Sequence, residues 1–205
     1  VLIITVPMSL LLLMLSHEAY YLFYGASDYG TLVLKFSSLS HVFLGVWTVI
    51  SASLQSMKKF KEIYKCLLTG VIVNACLDIP FILLLNELHL PPYIGTVLAT
   101  CTGYITSITL ALITLRKDMK FEYKSTLNVL KKILIPCIVM IIPIIIGYFF
   151  ITYTMSKLNA LIALAIYGGI GMIIYLVLTY YNNALYDVFG EDMVNGFLKK
   201  LHLKK

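Results

Sequence analysis

The stretch that decides the fold is CLLTGVIVNACLDIPFILLL, residues 66–85. An apolar run of about 20 residues has the length of an α-helix that crosses a hydrocarbon core about 30 Å thick. Outward from this run, similar apolar stretches predict six membrane segments, at residues 1–15, 30–54, 66–85, 93–115, 133–154 and 160–180. The first is too short to span comfortably, so we interpret it as a truncated helix.

The composition places the chain among membrane proteins. Hydrophobic residues make up 60% of the chain and charged residues 13%, and the mean hydropathy is +0.91. A soluble globular chain is about 25% charged, so soluble enzymes and disordered linkers are excluded. Because backbone polar groups in lipid must be satisfied internally, and the segments are too long for barrel strands, we predict an all-α, polytopic membrane helix bundle.

The basic residues predict the orientation of the helices. All but two of the 16 lysines and arginines lie in three segments, at residues 58–65, 116–132 and 199–205. Six crossings put these segments on one side, which the positive-inside rule identifies as the cytoplasm, together with the C-terminus. The net charge of +6 therefore reflects membrane topology, and no nucleic-acid partner is expected. The opposite connections are short and nearly uncharged.

A polar stripe within the third segment indicates a site. Gly70, Asn74 and Asp78 are spaced four residues apart and share one helix face. A carboxylate this deep costs about 2.5 to 3.5 kcal/mol unless it has a partner. Pro80 frees the carbonyl of Cys76, so this turn offers a cluster of oxygen atoms of the kind that binds Na+ or H+ at an interrupted helix. The alternative is a protonated Asp78 that bonds to Asn74 and joins two helices.

The fourth segment carries two stripes of its own. Small side chains recur every fourth residue, at Gly95, Ala99, Gly103, Ser107 and Ala111. Such a face allows close approach of a neighbouring helix. Beside it run three hydroxyl-bearing residues, Thr96, Thr100 and Tyr104. If the small face packs on the third helix, Thr100 completes the oxygen cluster; alternatively, the threonines bond to carbonyls of their own helix.

Two further features carry weaker signals. Lys35 lies near the outer end of the second segment, where it either extends to the interface or lines a cavity that receives an anionic head group. Apolar residues recur every four positions in the tail, at Leu185, Phe189, Met193, Phe197 and Leu201. This spacing predicts an interfacial amphipathic helix, with a soluble frayed tail as the alternative. We find no catalytic motif and expect neither enzymatic activity nor a cofactor beyond a coupling ion.

Several motifs, in this order and spacing, resemble those of a known transporter family. They are the proline-bearing helix ending at Gly25, Leu54 and Gln55 before a basic loop, Asn74 to Pro80, GTVLATCTGY at residues 95–104, and the tail GEDMVNGFLKKL. The chain resembles the C-terminal half of bacterial lipid-linked oligosaccharide flippases of the MurJ/SpoVB type, within the multidrug/oligosaccharidyl-lipid/polysaccharide exporter superfamily.

The resemblance implies a part of a larger two-lobed flippase. Residues 1–115 then form four transmembrane helices of the C-lobe, residues 116–183 a basic cytoplasmic loop with an additional helix pair, and residues 184–205 a cytoplasmic tail. It also implies a Na+ site formed by Asn74, Asp78, Thr100 and the backbone carbonyl of Thr96. A further acidic ligand and the cationic cavity of the N-lobe would lie upstream of Val1.

These observations lead to a functional hypothesis. The chain is expected to be part of a flippase coupled to Na+ or H+ in the bacterial cytoplasmic membrane. Its substrate would be a polyprenyl-pyrophosphate-linked saccharide, with lipid II, the peptidoglycan precursor, favoured. The rival functions are a multidrug/cation antiporter of a related family and a non-transporting membrane scaffold. A scaffold has little use for a carboxylate at the depth of Asp78.

Overall fold

The computed structural model describes residues 1–119, 124–150 and 156–200, and these ranges contain helices and no strand. The prediction of an all-α membrane protein is confirmed. The chain divides into two units, Val1–Phe121 and Glu122–Lys205. The division falls within the predicted basic loop at residues 116–132, while the assignment of residues 1–115 to a C-lobe stays a prediction.

The described residues of the first unit form six helices. They are α1 (Leu2–Met14), α2 (Ser16–Tyr24), α3 (Asp28–Ser37), α4 (Ser40–Ser56), α5 (Phe60–Glu87) and α6 (Tyr93–Met119). The second unit contains five, with a π-helical turn (Leu164–Gly168) between the second and third. They are α7 (Lys124–Phe150), α8 (Lys157–Ala163), α9 (Gly169–Tyr181), α10 (Ala184–Phe189) and α11 (Glu191–Lys200).

Five helical stretches of the described residues are long and apolar enough to cross a membrane. They are Asp28–Ser56, Phe60–Glu87, Tyr93–Lys117, Lys131–Tyr148 and Lys157–Tyr181. A sixth span results if α1 and α2, which meet at a 73° bend, are counted as one. Residues 151–154 of the predicted fifth segment lie outside the described residues.

The connections are shorter than the sequence analysis predicts. Residues 16–29 were expected to be a loop, but most of them form α2, because the apolar and aromatic run after Glu18 continues the helical pattern. Ser27 then begins α3 by accepting a hydrogen bond from the amide of Gly30 at 3.1 Å. On the basic side, α6 extends to Met119 and α7 begins at Lys124, so lysines expected in a loop lie on helix ends.

Helices α4, α5 and α6 share the main apolar core of the first unit. Its buried residues are Trp47, Ile50, Leu54, Cys66, Ala111 and Leu115. Helix α1 packs beside α4, and the Ser9 hydroxyl donates a buried hydrogen bond to the carbonyl of Ser38, at the junction of α3 and α4. The core residues thus join the C-terminal part of α6 to the first turns of α5 and to α4.

The second unit is built on the packing of α7 against α9. Met140 and Ile144 of α7 are fully buried, and Tyr175 of α9 is 1% exposed. Tyr167, in the π-helical turn, fills a notch at Gly147, where a Cβ atom would lie 2.3 Å from the tyrosine ring. A π-helical turn adds a residue to the turn, which re-aims the side chains on it.

The tail is not one continuous helix. Gly190, with φ of 79°, separates α10 from α11. The break changes the helical register, so the four-residue spacing from Leu185 to Met193 does not form a single stripe as predicted. Met193 is 65% exposed, and the predicted contributions of Phe197 and Leu201 lie outside the residues whose side chains are described.

Candidate cation-binding site

The site is built on close packing between α5 and α6. A Cβ atom placed on Gly70 would lie 1.8 Å from the Ser107 hydroxyl oxygen and 2.6 Å from the carbonyl oxygen of Gly103. On Gly103, it would lie 2.8 Å from the carbonyl oxygen of Gly70 and 2.9 Å from the Cβ atom of Asn74. Here the two backbones come into close contact, with the Ser107 hydroxyl and the Asn74 Cβ atom beside them. The small stripe of the fourth segment therefore packs on the third, which is the condition that the sequence analysis set for a site shared by the two helices.

The same contact continues toward the other end of the two helices. A Cβ atom on Gly95 would lie 2.7 Å from the backbone nitrogen of Ile82. Gly95 thus faces Ile82 while Gly103 faces Asn74, which defines an antiparallel register. In this register Asp78 lies at the level of Ala99, which is fully buried. Asp78 is therefore held at the centre of the α5–α6 contact.

Asp78 carries an unsatisfied oxygen. Its Oδ1 atom is buried and has no hydrogen-bond partner among the described residues. Nor does any hydrogen bond join Asp78 to Asn74 within these residues, so the proposed pairing of the two side chains is not formed. An orphaned buried carboxylate oxygen is rare and costly, and it indicates a ligand or a proton at that position.

The threonines of α6 are bonded within their own helix. The Thr100 hydroxyl donates to the backbone carbonyl of Thr96 at 2.8 Å, and the Thr96 hydroxyl donates to the carbonyl of Tyr93 at 2.8 Å. The structure thus contains the alternative hydrogen bonds that the sequence analysis considered. These bonds use the hydroxyl hydrogen and leave lone pairs on oxygen. They also bring together the two α6 oxygens that the family resemblance implies as ligands.

Helix α5 runs through Pro80 without a break, contrary to the expected interrupted helix. Proline has no N–H group, so the carbonyl of Cys76 still lacks its helical donor. The oxygen cluster on α5 therefore consists of the Asp78 carboxylate, the Asn74 amide and this carbonyl.

Among the described residues, no hydrogen bond or ion pair links Lys35 to Asp78, to Asn74 or to the threonines of α6. Lys35 lies in the last turn of α3, and its side chain is exposed. Its environment matches extension toward an interface, and a role in a substrate cavity stays a prediction.

Glu18 is the acidic residue that the sequence analysis missed. It lies in the first turn of α2 and is 0% exposed, next to Ser16, which is 3% exposed. A carboxylate in this position is stabilised by the helix dipole. The connection was interpreted as a nearly uncharged loop, so the burial of Glu18 was not foreseen. The aromatic run that follows it was the signal for a helix.

The comparisons with known proteins give one clear relationship. The chain is 26% identical, over 211 aligned positions, to the lipid II flippase MurJ of Bacillus subtilis (strain 168). The alignment covers 98% of this chain and 38% of that protein, so the chain spans well under half of its relative's length. No family model and no solved structure matches the chain. This similarity is to a transporter and not to an enzyme. The chain is a distant homologue of a lipid II flippase, matched along nearly all of its length.

Proposed function

We propose that this chain is part of a cation-coupled flippase in the bacterial cytoplasmic membrane. The substrate is a polyprenyl-pyrophosphate-linked saccharide, and lipid II is the favoured one because it is the substrate named for the relative. The rest of a two-lobed transporter and the surrounding lipids are the partners of this chain. The coupling ion is Na+ or H+.

The observation that carries this proposal is the orphaned Oδ1 atom of Asp78 at the α5–α6 contact. A helix bundle gains no stability from a buried carboxylate oxygen without a partner. In transporters, by contrast, an ionisable group inside the membrane typically marks the ion pathway. The group therefore supports coupling to a cation over a purely structural role.

The donor set suits a hard cation. Asp78 supplies the negative charge, and Asn74 supplies an amide oxygen one helical turn away. On α6, the Thr100 hydroxyl and the Thr96 carbonyl lie 2.8 Å apart, so a single cation can contact both oxygens. Carboxylate, amide, hydroxyl and carbonyl oxygens are the ligands that such ions prefer.

Binding at this point would couple the ion to the packing of the two helices. The ligands come from both sides of a contact in which backbones already touch at Gly70 and Gly103. An ion bridging the helices favours the arrangement in which both ligand sets are close. A ligand shifts a conformational equilibrium only by its differential affinity for the two states. The ion would bind more tightly to the state in which the ligands of α5 and α6 are close than to the state in which they are apart.

The test is the Na+ dependence of lipid II flipping by the full-length protein in proteoliposomes. We expect Asp78→Asn to abolish the cation-dependent component, because the amide keeps the shape of the side chain but not its charge. Asp28→Asn is the matched control, since Asp28 is an exposed carboxylate at the start of α3. Repeating the assay across a proton gradient without Na+ separates the two candidate ions.

Two outcomes would contradict the proposal. Unchanged flipping by Asp78→Asn, with the wild-type response to both ions, would eliminate the coupling role of this carboxylate. Absence of any lipid flipping by the wild-type protein under either gradient would remove the flippase assignment itself.

A further inference from the structure

A concave polar surface lies at the end of the last candidate span and has no part in the cation site. It is an open concavity with a volume of about 570 Å³, and it is lined by three tyrosines, two asparagines and two carboxylates. We call it the tyrosine pocket and define it by Tyr180, Tyr181, Tyr186, Asp187 and Glu191. Its volume is in the range of pockets that hold small ligands.

Two left-handed residues shape the tyrosine pocket. Helix α9 ends at Tyr181, and Asn183, with φ of 57°, turns the chain into the six-residue helix α10. Gly190, with φ of 79°, turns it again into α11. The chain therefore turns twice in a short distance, and residues of three consecutive helices line one concavity.

The tyrosine rings form a cluster on one side. The ring centroid of Tyr180 lies 5.8 Å from that of Tyr181 and 5.6 Å from that of Tyr186. A hydrogen-bond interaction with the Tyr180 side chain raises the pKa of Tyr186, and the negative charge of Glu191 contributes in the same direction. The Tyr186 hydroxyl therefore stays neutral near pH 7, and the pocket combines electron-rich rings with negative charge.

The two carboxylates are not equivalent. Asp187 forms an ion pair with Lys132 of α7, and the Asn182 side chain adds a hydrogen bond to the carbonyl of Lys132 at 3.2 Å. Glu191 has no ion-pair partner among the described residues. Lys132 therefore neutralises one carboxylate and fixes α10 on α7, while the other charge remains at the rim beside the aromatic rings.

We propose that the tyrosine pocket binds an alkylammonium group, with Glu191 as its counter-ion and the tyrosine rings around it. Aromatic faces attract ammonium groups through their quadrupole, and a carboxylate adds a charge-assisted hydrogen bond. The pocket starts where the candidate span Lys157–Tyr181 ends, and the ends of membrane spans lie next to lipid head groups. Such a group is carried by an aminophospholipid head group and by free polyamines.

The test measures binding to the purified full-length protein by titration calorimetry at constant ionic strength. The probes are short-chain phosphatidylethanolamine and spermidine, with phosphatidylglycerol of equal chain length as the lipid without an ammonium group. We expect wild-type protein to bind at least one amine and Glu191→Gln to raise its Kd by about tenfold or more, the value of one charge-assisted bond. Asp192→Asn is the matched control, since this neighbouring exposed carboxylate does not line the pocket.

The pattern across probes and variants decides the proposal. Binding of phosphatidylethanolamine alone assigns the pocket to a lipid head group, and binding of spermidine alone assigns it to a soluble amine. Glu191→Asp, which keeps the charge, should retain most of the affinity, and equal melting midpoints show that the variants fold. The proposal is wrong if neither amine binds, if Glu191→Gln binds as wild type does, or if Asp192→Asn loses affinity equally.

Discussion

At the scale of single residues, the oxygen atoms around Asp78 differ in what they contribute to cation binding. Asp78 and Asn74 were identified from their depth and spacing alone, because few polar residues occur in such a span. The sequence did not determine the hydrogen bonds of Thr96 and Thr100, since a threonine hydroxyl in a helix can bond to a carbonyl of its own helix or to a group on a neighbouring helix. The register of α5 against α6, which brings Asp78 level with Ala99, follows from the glycine contacts of the two helices.

Thr100 should contribute to cation affinity through its oxygen atom and not through its shape. Thr100→Val keeps the volume of the side chain and removes one ligand oxygen, so we expect the apparent Na+ affinity to fall about fivefold, the equivalent of about 1 kcal/mol. Thr100→Ser keeps the oxygen and should stay near wild type. The measurement is the Na+ concentration for half-maximal flipping. Equal values for the two variants would exclude Thr100 as a ligand.

Lys35 should matter less than its charge suggests. Its side chain is exposed in the last turn of α3, so it can extend to the interface without contacting substrate. We expect Lys35→Gln in the full-length protein to support near-normal growth in a complementation assay. Loss of growth at normal protein levels would instead place Lys35 in the substrate cavity.

At the scale of helices, the small-residue stripe correctly predicted close approach of a neighbouring helix, because small side chains at regular spacing let two backbones come together. It did not by itself identify α5 as that neighbour. The short helices were harder to predict. Helix α2 was missed because hydropathy does not distinguish a short helix of mixed polarity from a loop. The break at Gly190 was missed because a four-residue spacing continues in the sequence even where the helix does not.

The α5–α6 contact should be sensitive to a single methyl group. Gly103→Ala places a Cβ atom 2.8 Å from the carbonyl oxygen of Gly70, so the helices must separate. Overpacking of this kind costs about 1–3 kcal/mol, and we expect a lower melting midpoint and weaker Na+ binding. Gly169→Ala is the matched control, since a Cβ atom there meets nothing within 4 Å. A drop of equal size in both variants would contradict the close-contact account.

At the scale of the whole molecule, composition decided the class of protein and charge predicted its orientation. Composition and charge distribution are both summed over many residues, so an error in the predicted bounds of one helix changes them little. The division between residues 121 and 122 falls where basic residues concentrate. How each unit packs depends on side-chain shape, which a hydropathy pattern does not contain.

The orientation is testable by chemical labelling. In a full-length background with its cysteines replaced, Lys58→Cys and His202→Cys should resist a membrane-impermeant thiol reagent in intact cells. His89→Cys, between α5 and α6, should react. Permeabilised cells, in which all three positions should label, provide the control. The reverse pattern in intact cells would invert the topology derived from the positive-inside rule.

The notch at Gly147 has a consequence for how this protein diverges in evolution. Tyr167 occupies the space that a side chain at position 147 would fill, so neither position is free to change alone. A lineage that enlarges position 147 must first reduce the ring at 167, and one that keeps the ring must keep glycine. Among related chains, the two positions should therefore be inherited as a pair.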